Sequence, residues 1–202
     1  MKRVAVTLCA FLWVVSIAWA QKEKPAMVAE DGGFQERGSA RVLYWDTRAN
    51  TAFGQFAIDY GRPVWRKAYE DPANFGKLTS KIWRLGSNYW TVLDTQLPLK
   101  IAGREVAPGA YNLGLLPEAG GKGWSLAFID PAKVRASRLD AFQIERAPVL
   151  FSIPVSVEQP ASPAEKLTIT LTYAKEKPKD VKLTISWGTL QVSAPIEVTV
   201  GP

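Results

Sequence analysis

Histidine is absent from all 202 residues of the chain. That absence excludes Ser-His-Asp and Cys-His nucleophilic sites, histidine-ligated zinc and imidazole acid–base chemistry. Paired carboxylates stay chemically available, but no Asp-x-Asp calcium loop occurs, so neither a metal nor a cofactor is expected. Cysteine is almost as scarce. Its one occurrence, Cys9, falls within the first twenty residues, so no disulfide is expected beyond them and a hydrophobic core must hold the fold. Lysine and arginine number 25 against 19 acidic residues, yet no basic run stands out. Nucleic acid is therefore not an expected partner. The mild positive excess leaves an anionic or glycan ligand, or an envelope protein, as candidate partners.

Long hydrophobic runs are missing too, with one short exception. Lys2 and Arg3, the apolar stretch of residues 4–17 and Ala18-Trp19-Ala20 form the charged, apolar and small-x-small parts of a secretory signal peptide. A membrane-spanning helix needs ~20 apolar residues, more than this run offers. Residues 1–20 are therefore expected to be cleaved, with the mature protein periplasmic or secreted and without a transmembrane segment. Residues 21–40 are polar and carry Gly32-Gly33, the composition of a flexible leader. The remaining residues, 41–202, suit a single domain.

What is present in abundance is alternation. In residues 167–173 leucine, isoleucine, leucine and tyrosine hold the odd positions and threonine every even one. Val181, Leu183, Ile185 and Trp187 repeat the pattern, as do Val192, Ala194, Ile196 and Val198. Upstream, Phe56, Ile58 and Tyr60 mark one strand, Leu93 to Ile101 a second stripe, Trp124, Leu126 and Phe128 a third, and Val149 to Val157 a fourth. Period two means strands with one face in a core. Gly- and Pro-bearing turns separate them, and the sum predicts an antiparallel β-sandwich of eight to ten strands. Pro98, Pro154 and Pro195 fall on the solvent phase, which suits edges or bulges. Residues 63–81 read as a short helix or a long loop, and residues 131–140 as one short polar helix.

Three motifs occur in order: Asp59-Tyr60-Gly61-Arg62-Pro63, Trp83-Arg84-Leu85-Gly86-Ser87-Asn88, and Ile101-Ala102-Gly103-Arg104-Glu105-Val106-Ala107-Pro108-Gly109-Ala110-Tyr111. Together with Trp124 they resemble the exported bacterial family catalogued as domain of unknown function 2911. The resemblance spans residues 53–130 and implies an exported β-rich domain, with no activity attached. After Pro63 the chain departs from the family's usual Lys-Gly-Arg-like stretch and carries Val64-Trp65-Arg66-Lys67 with a longer insert.

Arg62, Trp65, Arg84 and Asn88 are the candidate ligand-binding residues. A guanidinium presents a planar fork of donors suited to carboxylate, phosphate or sugar hydroxyls. Arg84 alternatively pairs with Asp59 or Asp94 and pins a loop. Trp65, among basic residues, is the ring expected to be exposed for stacking on a sugar face, or else a plug over the sheet. The function expected is a non-catalytic binding module. A carboxylate-based glycan hydrolase and a structural envelope protein are the alternatives.

Overall fold

The computed structural model describes residues 36–118 and 123–201. The expected signal peptide, and the leader up to residue 35, lie outside those residues. Strand β1 (Arg37–Asp46) opens inside the segment expected to be leader. Its alternation starts early, since Ala40 and Val42 already face the core. β1 turns into β2 (Thr51–Gly61), and a 3-10 turn (Lys67–Glu70) and helix α1 (Pro72–Thr79) follow. Then come β3 (Thr91–Thr95), β4 (Leu99–Ile101), β5 (Arg104–Val106), β6 (Gly109–Pro117) and β7 (Trp124–Ile129). Helix α2 (Pro131–Ala136) and a second 3-10 segment (Ala141–Arg146) lead to β8 (Val149–Glu158), β9 (Ala164–Tyr173), β10 (Asp180–Gly188) and β11 (Leu190–Val198).

Both short helices start on an Asp-Pro pair. Asp71 accepts from the Ala73 amide and Asp130 from the Ala132 amide, each at 2.8 Å. Proline at the first helical position has no amide to leave unpaired. These are the segments read from sequence as a helix or loop and as a polar helix.

The all-β antiparallel fold expected from alternation is the fold observed. Its strands run β1-β2-β3-β6-β7-β8-β11-β10-β9 in one connected path, with β4 and β5 attached beside β11. β8 is the corner. Phe151 to Val155 pair with β7, and Ser156 to Glu158 pair with β11. One strand thus belongs to both layers, and the sandwich becomes a nearly closed barrel. Because β8 changes layers, its apolar stripe is not buried throughout. Ile153 is 1 % exposed, whereas Val149 and Val157 face outward.

The path almost closes on itself where its two end strands, β1 and β9, meet. Tyr60, on β2, turns its hydroxyl across β1 to accept the Ile169 amide at 2.9 Å. It can do so because Gly38 lies opposite it, and a Cβ there would sit 2.8 Å from the Tyr60 ring. Just beyond β2, Val64 bridges Lys166 in β9. Inside lie Phe56, Ile58, Leu93, Leu113, Leu126 and Ile185, each at most 2 % exposed. Ile169 and Leu183 are buried beside them, as the phase of β9 and β10 requires. Pro98, Pro154 and Pro195 all face solvent. Among the described residues no helix is long and apolar enough to cross a membrane.

Candidate functional site

The segment between β2 and β3 folds over one end of the barrel. Its outgoing half is anchored on β9, where the Trp65 amide donates to the Glu165 carbonyl and the Leu167 amide to the Pro63 carbonyl. Its returning half is anchored on β6, where Trp83 and Leu115 exchange amide–carbonyl bonds at 2.8 and 2.7 Å. Between the two anchors the aromatic rings form a plug. Trp83 stacks on Trp187 at 4.8 Å, and Trp65 meets the Trp187 ring edge-on at 4.9 Å. The Trp187 indole donates to the Pro63 carbonyl, so its one polar atom is satisfied.

Trp65 is therefore not the exposed ring expected from its charged neighbours. The bridge to Lys166 fixes the local alternation, so Val64 points outward at 57 % exposure and Trp65 points in, against Tyr69, Phe75 and Trp187. It supports the site from beneath without lining it.

Above the plug is a cavity of about 510 Å³. Among the described residues Arg62, Arg66, Arg84, Ser87 and Asn88 line it with a single carboxylate, Glu36. Three of the four residues singled out in the sequence thus converge. The two motifs that bring them are interlocked, because Gly61 lies so close to Ser87 that a side chain at 61 would overlap the Ser87 carbonyl. The loop is held in an unusual backbone. Leu85, fully buried, has φ of 49° and Asn88 has φ of 62°. A branched residue in that region costs about 1–3 kcal/mol and persists only where its surroundings fix it. Here the buried Thr91 hydroxyl donates to the Leu85 carbonyl.

The two arginines differ in their partners. Arg62 Nη1 pairs with Glu36 at 2.7 Å, its Nε donates to the Leu167 carbonyl and its Nη2 reaches Thr168. Lys166 also holds Glu36, at 2.5 Å, and with Arg62 it lowers the Glu36 pKa. Asp59, the nearest carboxylate in sequence, plays no part, since it faces outward from β2. Arg84 pairs with neither Asp59 nor Asp94, both of which are on the outer face. Its Nε donates to the Gly86 carbonyl at 3.2 Å, and its guanidinium lies 3.8 Å from the Phe142 ring centroid. Nη1 is buried with no hydrogen-bond partner among the described residues. Burial lowers the Arg84 pKa, and the charge of Asp140 opposes that shift. The group stays a cation.

Glu36 and Phe142 escaped the sequence reading. Glu36 had no local signal, being 26 positions from Arg62. Phe142 had one, because Asp140 and Gln143 form a capping box that places the intervening aromatic on a turn.

Fold and site together define an antiparallel, nearly closed barrel with an aromatic plug and a cationic cavity at one end. A family model described as a protein of unknown function (DUF2911) matches residues 46–196, and the chain belongs to that family. No curated protein and no solved structure matches it.

Proposed function

We propose that the protein is an exported, non-catalytic binding module that takes an anionic ligand in the cavity lined by Arg62, Arg84 and Asn88. The observation that carries this reading is the Arg84 guanidinium, desolvated and stacked on Phe142 with Nη1 left unpartnered. An unpaired buried donor is costly, and more so on a charged group. A carboxylate or phosphate in the cavity would meet that cation and two further arginines against one glutamate. The cavity's size falls in the usual range for small ligands. The signal-peptide pattern of residues 1–20 supports export.

A hydrolase working with two carboxylates finds less support. Glu36 is the one carboxylate in the lining among the described residues, and its neighbours lower its pKa, whereas a general acid needs a raised one.

The test is calorimetric titration of galacturonate, glucuronate and inorganic phosphate into the mature protein, whose first residue is expected at Gln21. At least one anion should bind, and Arg84→Ala should abolish that binding with the melting temperature nearly unchanged. Loss of the fold in Arg84→Ala, with no anion bound by the wild type, would remove the binding reading and leave Arg84 a structural residue.

A further inference from the structure

A second hollow, of about 620 Å³, adjoins the first. Neighbouring residues of the chain form the wall between them. Glu36 and Asn88 line the first hollow, and their chain neighbours Arg37 and Tyr89 line the second. Arg37 ties the wall together by donating to the Trp90 carbonyl at 3.4 Å.

The second hollow repeats the chemistry of the first. Arg37, Arg135 and Arg138 line it, with no carboxylate in the lining among the described residues. Neither Arg135 nor Arg138 forms an ion pair among the described residues, and both are exposed near the end of α2. Asp130 is turned to the amides that start α2, and Asp59 is the nearest strand carboxylate by register, opposite Val92. At the floor is Asn112, 5 % exposed, whose side-chain amide has no hydrogen-bond partner among the described residues. Unlike Arg84 Nη1, the Asn112 amide keeps contact with solvent through the hollow, so it is open to a ligand there. It also offers an acceptor as well as donors, which a simple anion cannot use and a hydroxyl can.

We propose that the two hollows form one strip that binds an anionic oligosaccharide chain, its acidic groups on Arg84 and on the Arg135–Arg138 pair and a hydroxyl on Asn112. The inference rests on the anion-binding reading of the first cavity and extends it. Recessed polar groups favour a glycan over a membrane, because a flat lipid surface would not reach Asn112. The rings favour it over nucleic acid. Trp83 and Trp187 are 7 % and 3 % exposed and stacked on each other, so neither offers an open face to a base. Tyr89, 70 % exposed, is the one exposed ring in the two linings, too few for a row of stacked bases.

The experiment is calorimetric titration of galacturonate and its oligomers of increasing length, beside a sulfated oligosaccharide series, into wild type and Arg135→Gln/Arg138→Gln. Both positions are exposed, so the fold should survive, and a melting curve checks it. Longer oligomers should bind the wild type about tenfold or more tighter than the monomer, because joined subsites act at high effective concentration. The double variant should lose that gain and keep monomer affinity. The series that shows the gain identifies the acidic group as carboxylate or sulfate. Equal affinity for all lengths in both proteins would overturn the strip and leave the first cavity's reading standing. Tighter binding of single-stranded oligonucleotide or anionic vesicles than of any oligosaccharide would overturn the glycan assignment.

Discussion

Arg62 and Arg84 face the same cavity, yet they do opposite things for the fold. Arg62 spends its donors on Glu36, the Leu167 carbonyl and Thr168, and so ties the end of β2 to β9 where the barrel nearly closes. Arg84 makes one hydrogen bond to its own loop and leaves Nη1 without a partner. A residue with its donors satisfied internally has little left for a ligand. The difference assigns closure to the β9 side of the cavity and leaves the proposed recognition to the side of residues 83–88.

The largest effect is expected from breaking the link between the two sides. Gly61→Ala places a methyl group against the Ser87 carbonyl, a clash with backbone that no side-chain rotation relieves. It should cost about 3 kcal/mol in urea unfolding, the scale of an overpacked core. It should also disturb both arginines at once. A variant as stable as wild type would show that the two motifs are not interlocked.

The arginines can then be separated. Arg62→Ala removes two hydrogen bonds to β9 and half of a partly exposed ion pair, so a loss of about 1–2 kcal/mol is expected after allowance for solvent screening. Arg84→Ala should fall within about 0.5 kcal/mol of wild type, because it removes a desolvated cation with an unpaired donor. Equal losses for the two changes, measured by the same denaturation, would erase the distinction.

A smaller effect comes from acid. The partners that hold Glu36 are on the Arg62 side, and they lower its pKa. Far from the cavity, Lys182, Ser193 and Gln191 push the Glu158 carboxyl down from 4.5 to about 2. With the folded pKa depressed, the unfolded chain takes up protons first as pH falls. The stabilisation is complete above about pH 4.5 and is lost as pH drops toward 2. Glu158→Gln should therefore flatten melting temperature against pH across that window, and Glu36→Gln should do so more weakly. Arg84→Ala should leave the shape of the profile unchanged. A wild-type profile already flat from pH 5 to 2 would refute the role of both carboxylates.

Much of the architecture was legible because period two is a local property. The phase of Ile169, Leu183 and Ile185 follows from residues two apart, and a slip by one would expose them all. The Asp-Pro helix starts at 71 and 130 are equally local. Trp65 shows where locality fails. Its charged neighbours suggested an exposed ring, but a single bridge to Lys166, about a hundred positions away, set its phase inward. β8 shows the same failure, because an unbroken apolar stripe does not tell which layer each half of the strand will join.

The sequence by itself determined the antiparallel strands, the buried face of most of them and the motifs that mark the family, while the convergence of Arg62, Arg84 and Asn88 on one cavity came from the tertiary structure. Only the tertiary structure decided which guanidinium is satisfied. Glu36 reaches Arg62 across 26 positions and Lys166 across 130, and Phe142 comes to Arg84 from beyond β7. Such pairings depend on strand order and on how far the barrel closes. Both are set by the packing of the whole core, and no window of neighbouring residues contains them.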